Sequence, residues 1–422
     1  MSLHSTPLAQ PLTLPSGAVL SNRIVKAAMS EGMADAHGHA TARLATLYRI
    51  WAGSGAGMLL SGNIQVDRWH LERPGNVVLD DESGLTALRA MVQAGRSQGA
   101  RFWAQLSHTG RQVSELINPE PLSPSDVELE VARSAGFAFA KPRPMIEADI
   151  ERAIAQFATS ARLAKAAGFD GVQLHAAHGY LISQFLSPLS NRRTDRWGGS
   201  LQNRARFLLR TLKAVRAAVG PAFPIGIKLN ASDFQKGGFT NAECLTLVEW
   251  LNHATLDLLE LSGGSLEQPK VVGVALQDEG EDAPRPSTLA REAYFVAFAG
   301  AVRAVAAMPV MVTGGFRTAA AMESALVGKE LDLVGIGRPL ILDPSAGVRL
   351  LSGNVGRLDA AESRIGLFHI LPWFNMQLER LGDGLPPDLT LTGEAAATAF
   401  GPLEGNIFNR LLEARAPAAA CA

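Results

Sequence analysis

Short apolar runs alternate along the chain with longer segments in which apolar residues recur every three or four positions. The short runs contain almost no polar residues, which is typical of parallel strands covered on both faces. The longer segments have the spacing of amphipathic helices, as at Ile154, Phe157, Ala161 and Ala164. The predicted strands are residues 23–29, 58–66, 101–106, 171–175, 225–229, 258–261, 310–312 and 333–336. The predicted helices are residues 41–52, 84–97, 146–167, 203–219, 241–254, 289–306 and 318–327.

Eight strands that alternate with helices predict an α/β fold, a closed (β/α)8 TIM barrel. We expect a single domain, with the barrel at about residues 20–344 and a helical C-terminal extension at about 345–422. Long connections at 107–145, 178–202 and 262–287 follow strand ends, on the C-terminal face where barrel enzymes build their sites. The main alternative is an open doubly wound sheet. That fold usually has a glycine-rich turn after its first strand, and Met29 to Gly32 do not form one.

Composition narrows the class of protein. The chain has 422 residues, 47% hydrophobic and 19% charged, which fits a large buried core. A net charge of −1 argues against a nucleic-acid partner. The two cysteines, Cys244 and Cys421, are too few for a disulfide framework or a cysteine-ligated iron–sulfur cluster. Since the first 22 residues contain no apolar signal core and no run has membrane-spanning length, we expect a cytoplasmic protein without a membrane partner.

Three chemically active side chains follow the fourth predicted strand within six residues: His175, His178 and Tyr180. Imidazole N–H groups can donate hydrogen bonds to a developing oxyanion, and a phenol can deliver a proton nearby. The sequence therefore predicts a catalytic group at this strand end. Two other interpretations stay open, a metal site at i,i+3 spacing and a pair of buried histidines with satisfied hydrogen bonds. No carboxylate occupies the adjoining strand end, so we predict no metal.

The last two strands end in glycine-rich turns that contain an arginine. Gly314, Gly315 and Gly337 would let backbone N–H groups approach a phosphate closely, and Arg338 would add positive charge. The loops after strands seven and eight are where many barrels hold a phosphate. The alternative is that these glycines only form tight turns.

Polar residues also stand within the predicted core. Gln105 closes the third strand, and Lys228 lies inside the fifth. A lysine in an apolar strand is costly unless it meets an anion or a strong acceptor. A flavin pyrimidine edge would be one such partner, and a salt bridge to Glu260 or Asp257 would be another.

Two loops carry further polar residues. His108 and Arg111 either line the catalytic mouth or only shape their loop, and the sequence does not decide between these roles. The charged segment 191–200 is interpreted as a network that orders its loop, with Ser200 as the N-cap of the next helix.

With these residues in view, the chain resembles the Old Yellow Enzyme family of flavin oxidoreductases over about residues 11–344. The motifs HAAHGYLISQFLSPLSN, RTD, WGGS and NRARF within residues 168–207 carry the resemblance. It implies a barrel that binds FMN without covalent attachment. The relatives that hold an iron–sulfur cluster have a cysteine cluster after the barrel, which this chain lacks.

The resemblance also implies roles for the site residues. His175 and His178 would hold the substrate carbonyl, and Tyr180 would donate the proton. The residues that would contact the flavin ring are Ala28, Met29, Ser30, Gln105 and Lys228, and those that would hold the phosphate are Gly314, Gly315, Gly337 and Arg338. Ala28 replaces a frequent proline, Ser30 a threonine or cysteine, and Lys228 an arginine. The effect of Ser30 and Lys228 on the flavin potential stays open.

The implied function is FMN-dependent NAD(P)H oxidoreduction that reduces the C=C bond of a small α,β-unsaturated carbonyl compound, with NADH or NADPH as reductant. Three alternatives stay open: oxidative demethylation of an N-methyl compound, a non-redox phosphate-binding barrel lyase that uses Lys228 as a Schiff base, and a non-catalytic FMN-binding module. A homo-oligomer is possible through the apolar segment 370–374.

Overall fold

A closed barrel of eight parallel strands forms the centre of the molecule in the computed structural model, which describes residues 6–129, 138–268 and 296–416. Its strands are β3 (Ile24–Lys26), β4 (Met58–Gln65), β5 (Arg101–Ser107), β8 (Gly171–Ala176), β9 (Ile225–Asn230), β10 (Leu258–Ser262), β11 (Val310–Thr313) and β12 (Leu333–Ile336). Two short pairs lie outside the barrel, β1 (Leu12–Thr13) with β2 (Val19–Leu20) and β6 (Leu122–Ser123) with β7 (Arg143–Pro144). The barrel strands follow one another around the barrel in chain order, and β12 pairs with β3. The predicted barrel is confirmed, and the open sheet is set aside. Only the first strand is clearly shorter than predicted.

Helices cover the outside of the barrel at the predicted places, and one short helix that was not predicted, Leu181–Leu186, follows β8. They are α1 (Ala42–Ala52), α2 (Leu85–Gly95), α3 (Glu147–Ala167), α4 (Leu181–Leu186), α5 (Leu201–Val219), α6 (Asn241–Leu251), α7 (Val296–Val305) and α8 (Ala319–Val327). The predicted helix 289–306 is confirmed from residue 296, and residues 289–295 lie outside the described part. After the last strand come α9 (Pro339–Leu342), α10 (Ala346–Leu351), α11 (Ile370–Gly382) and α12 (Gly393–Arg415). That the chain forms one domain stays a prediction.

Side chains close the amino end of the barrel. Trp103 points inward from β5 and is 1% exposed. Gly171 and Gly226 on the next two strands make room for its indole, because a Cβ at Gly171 would stand 2.5 Å from the ring. A hairpin of β1 (Leu12–Thr13) and β2 (Val19–Leu20) packs Leu14 and Leu20 into the same cluster. The barrel interior is therefore a packed floor, with polar residues only towards its carboxyl end.

Helix starts follow local capping rules. The Ser200 side chain accepts a hydrogen bond from the Asn203 N–H, so the predicted N-cap is confirmed. Thr240 and Glu243 form a reciprocal capping box at the start of α6. These contacts fix where each helix leaves the loop that precedes it. None of the described helices has both the length and the apolar character needed to cross a bilayer.

Candidate active site

The three side chains predicted at the end of the fourth barrel strand lie together. The ring centroids of His175 and His178 are 5.0 Å apart, and those of His175 and Tyr180 are 4.8 Å apart. The chain turns sharply after β8, with φ of +61° at His178 and +77° at Gly179. Glycine is favoured at the second position, because L side chains rarely adopt a φ of +77°. The left-handed turn brings the second imidazole and the phenol back beside the first.

Neighbouring strands fix His178 in this unusual conformation. Its Nε2 lies 2.7 Å from Oγ of Ser262 at the end of β10, and its backbone N–H donates to Oδ1 of Asn230 at 3.2 Å. Three consecutive barrel strands therefore hold one imidazole. A left-handed backbone at a residue other than glycine costs energy, and such strain concentrates at functional sites.

Both imidazoles are neutral near pH 7. Burial lowers the pKa of His175 and of His178 well below the usual 6.5, and the positive charge of Lys228 lowers it further. Nδ1 of His175 accepts a hydrogen bond from the Ala177 N–H at 3.3 Å, so the hydrogen of the neutral ring is on Nε2. His175 thus presents one N–H donor and no net charge.

Tyr180 is a protonated phenol at neutral pH. Burial raises its pKa well above the usual 10, and the negative charge of Glu72 raises it further. A protonated phenol can donate its proton, which leaves a phenolate that must be reprotonated before the next turnover. The described residues provide no hydrogen-bond acceptor for the Tyr180 hydroxyl.

A chain of hydrogen bonds crosses the barrel below these residues. Gln105 Nε2 donates to Gln173 Oε1 at 2.7 Å, and Gln173 Nε2 donates to Glu260 Oε2 at 2.8 Å. The other oxygen of Glu260 lies 3.0 Å from Nζ of Lys228. The salt bridge that the sequence left open is therefore formed with Glu260, whereas Asp257 pairs with an arginine elsewhere. Nζ carries three hydrogens, so this pair leaves donors for a ring above it.

The glycine turn after β11 faces open space. Gly314 and Gly315 have φ of +103° and +83°, and a Cβ at Gly314 would meet nothing within 4 Å. A Cβ at Gly337 would stand 3.5 Å from Sδ of Met29, so the end of the first strand adjoins these turns. The two predicted groups, one for the ring and one for the phosphate, are neighbours.

Beside these turns lies a cation that forms no salt bridge with the described residues. Arg338 has no carboxylate in salt-bridge contact within residues 6–129, 138–268 and 296–416, and it stacks 5.8 Å from the Phe374 ring centroid. Burial lowers the pKa of Arg338, although the negative charge of Glu362 opposes the shift. Glu362 instead pairs directly with Arg317. A partly buried guanidinium without a paired carboxylate among the described residues, beside an open glycine turn, fits a phosphate. The residues present therefore fit a flavin mononucleotide.

Comparison with known proteins identifies the family. Residues 7–354 match the model of the NADH:flavin oxidoreductase / NADH oxidase family. The chain belongs to this family. The match confirms the resemblance to Old Yellow Enzyme, a homologue of which has the same fold. FMN as cofactor and a nicotinamide as reductant are confirmed with it, and the non-redox lyase is set aside.

Several relatives show how far the similarity extends. The NADH-dependent flavin oxidoreductase nadA of Aspergillus parasiticus is 33% identical over 99% of this chain and 96% of its own length. The enzyme iliE of Neonectria sp. is 38% identical over 79% of this chain, which spans only 46% of that relative. Morphinone reductase is 25% identical with a TM-score of 0.70, covering 86% of this chain and 94% of that one. Flavin-dependent oxidoreduction is thus established, while the individual substrates belong to those proteins.

Two of the predicted flavin contacts, Ala28 and Ser30, follow the end of the first barrel strand. Ala28 packs, partly buried, against the interior cluster. The Ser30 hydroxyl donates a hydrogen bond of 2.6 Å to Oε2 of Glu72. Sequence reasoning missed Glu72. The signal was available, because Glu72 lies in the loop after the second barrel strand, on the face where barrel enzymes place their sites.

His108 and Arg111 shape the loop after the third strand. Nδ1 of His108 accepts from the Gly110 N–H at 3.0 Å, and the ring is buried. Arg111 binds the carbonyls of residues 127 and 128 and the carboxylate of Glu267. Of the two roles that the sequence left open, the structure favours shaping the loop. The segment 191–200 is likewise an ordering network, in which Arg193 pairs with Asp195.

One cluster within the described residues has the composition of a metal site. Asp67, His70 and His108 are buried, and their ligand atoms lie within 4.8 Å of one another. A metal-bound imidazole normally donates its other N–H. Here the other nitrogens accept instead, from the backbone N–H groups of Leu122 and Gly110. Both rings therefore direct N–H groups at the Asp67 carboxylate. Although burial alone would raise the pKa of Asp67, the two histidines hold it well below its usual range. The cluster is a polar anchor for the loop.

Acid should destabilise the fold through its buried histidines. Burial, and secondarily the charge of His70, lowers the pKa of His108 well below 6.5, so the unfolded chain binds more protons as pH falls below that value. Stability is complete above about pH 6.5 and is lost below it, by about 2 kcal/mol per such histidine at pH 5. The free energy of unfolding in urea at pH 7.5 and pH 5 measures this loss.

The comparison of variants assigns the effect to one residue. In His108→Asn the amide oxygen can still accept from the Gly110 N–H, but the titrating group is gone. The loss of stability between the two pH values should be about 2 kcal/mol smaller than in wild type, whereas His253→Asn, at an exposed position, should match wild type. An equal loss in His108→Asn and wild type would refute the assignment.

Proposed function

We propose that the protein reduces the C=C bond of α,β-unsaturated carbonyl compounds, with FMN as its cofactor and NADH or NADPH as reductant. The observation that carries the proposal is the arrangement of His175, His178 and Tyr180. The ring centroids of His178 and Tyr180 both lie within about 5 Å of that of His175, at the C-terminal face of the barrel. Reduction of an enone needs a donor pair at the carbonyl oxygen and an acid at the α-carbon.

The imidazoles would bind and polarise the carbonyl. Bound FMN supplies the hydride chemistry, and the nicotinamide restores its reducing equivalents. Negative charge develops on the carbonyl oxygen as the β-carbon is reduced. N–H groups of His175 and His178 directed at that oxygen stabilise the charge more in the transition state than in the bound substrate. Because both rings are neutral, they donate hydrogen bonds without giving up a proton.

Tyr180 would supply the proton to the α-carbon. Its hydroxyl is protonated at neutral pH, and the described residues offer it no acceptor. The phenol is therefore available to the substrate. Lys228 would hold the flavin from below while Glu260 keeps its ammonium group in place. Oxidative demethylation of an N-methyl compound would need no proton donor at this position, and the site gives no observation in its favour.

The visible spectrum of the purified protein tests the proposal. A yellow protein should lose its colour under anaerobic NADH or NADPH and regain it when cyclohexenone is added. Cyclohexanone has the same carbonyl without the C=C bond and serves as the control, which should restore no colour. Loss of colour when a methylated amine is added in place of the nicotinamide, and no return of colour with enones, would exclude the proposed reaction.

A further inference from the structure

Glu72 lies between the end of the first barrel strand and Tyr180. Its Oε2 accepts hydrogen bonds from the Ser30 hydroxyl at 2.6 Å and from Nδ2 of Asn63 at 3.0 Å. Its charge is the largest electrostatic contribution from another residue to the raised pKa of Tyr180. One carboxylate therefore contacts the predicted flavin-contacting serine and also acts on the proposed acid.

The hydrogen of the Ser30 hydroxyl is committed to Glu72. A hydroxyl has one hydrogen, and two acceptors lie within reach of it, Glu72 at 2.6 Å and Oδ1 of Asn63 at 3.2 Å. The shorter contact is to a carboxylate, which forms the stronger hydrogen bond. Oδ1 of Asn63 already accepts from Nδ2 of Asn76 at 3.1 Å. Ser30 therefore presents lone pairs to the cavity and has no hydrogen left to donate.

The loop that contains Glu72 is fixed from outside the barrel. The next residue, Arg73, pairs with Glu404 of α12 and donates to Asn375 of α11. Its guanidinium packs against Gly32, where a Cβ would stand 2.5 Å from Cζ of Arg73. The helices after the barrel thereby hold the loop against the first strand. This packing sets the position of the carboxylate.

We propose that Glu72 is a positioning residue that lowers the reduction potential of the flavin, by taking the hydrogen of Ser30 and placing a negative charge beside the ring. The proposal rests on the proposed function, which places the flavin next to Ser30. Reduction adds negative charge to the ring system, so a fixed carboxylate nearby and a withheld donor both disfavour the reduced state. A lower potential makes the bound cofactor a stronger hydride donor. The site is then suited to alkenes that accept hydride reluctantly.

Redox titration of the yellow protein against a reference dye tests the inference. Glu72→Gln removes the charge with little change in shape and should shift the equilibrium towards reduced flavin at least tenfold, which is a rise of about 30 mV for a two-electron couple. Glu72→Asp keeps the charge and should stay closer to wild type than to the Gln variant. Ser30→Ala should change the potential little, because its hydrogen already serves Glu72. Glu82→Gln removes an exposed charge elsewhere and is the matched control.

The outcomes separate the two proposals. A protein that is colourless, or yellow but not bleached by NADH or NADPH, overturns the proposed function and this inference with it. A yellow, bleachable protein whose potential is the same in Glu72→Gln and wild type overturns only the role of Glu72. A lower flavin potential in Ser30→Ala than in wild type would show that Ser30 donates a hydrogen bond to the ring, which contradicts the proposal. If the Gln variant does not fold, this measurement tests the role of Glu72 by itself.

Discussion

Conversion of both His175 and His178 to alanine should abolish enone turnover while FMN stays bound. Loss of one oxyanion donor typically costs on the order of 10²–10³ in rate, so loss of both should bring turnover to background. Neither imidazole belongs to the hydrogen-bond chain through Gln105 and Lys228 or to the open glycine turns, so flavin binding should persist. Stopped-flow measurement of flavin reoxidation by cyclohexenone, after reduction with NADH, gives the rate directly.

The control for this pair is an exposed histidine. His253→Ala should reoxidise at the wild-type rate, since its side chain lies on the surface outside the site. The visible spectrum of each variant reports whether flavin is retained. Full activity in the double variant with flavin bound would refute the role of the two imidazoles.

Replacement of Tyr180 by phenylalanine should slow the oxidative half-reaction by about 10²–10⁴, the usual contribution of a positioned general acid. The ring would keep its contact with His175, whose centroid lies 4.8 Å away, so the change removes the hydroxyl and little else. Oxidation of NADH by the protein needs no proton from this residue and should be unchanged. The two half-reactions, measured separately in the stopped-flow instrument, provide the test and its internal control.

A uniform effect on both half-reactions would indicate a general disturbance of the site. An unchanged rate with simple enones would show that another group delivers the proton. Because the pKa of Tyr180 is raised well above 10, the wild-type rate should not fall through loss of the phenol proton between pH 7 and pH 9.

The barrel could be predicted because its strands are buried on both faces and appear as nearly unbroken apolar runs. The first strand was overestimated: residues 27–29 continue the apolar run, and the Ala27 N–H still bonds to the Ile336 carbonyl, but the regular ladder ends at Lys26. The hairpin of β1 and β2 was missed, since strands of two residues carry no periodicity that a sequence can reveal.

The site residues also fall into two groups, those that are neighbours in the chain and those that only the fold brings together. His175, His178 and Tyr180 are neighbours in the chain, and one tight turn is enough to bring them together. The contact between Ser30 and Glu72 joins residues 42 positions apart and depends on how a loop packs. Lys228 and Glu260 face each other in register on β9 and β10. The sequence could name this ion pair as one possibility, but only the strand pairing in the closed barrel shows that it forms.

Within the described residues, the indole of Trp103 and the leucines of the amino-terminal hairpin close the amino end of the barrel. With the proposed function, nicotinamide and alkene would then both reach the flavin from the carboxyl end of the barrel. Because both would bind in the same pocket, nicotinamide and alkene would occupy it one after the other. The alternating order in which the two substrates bind would then follow from Trp103, which closes the opposite end of the barrel.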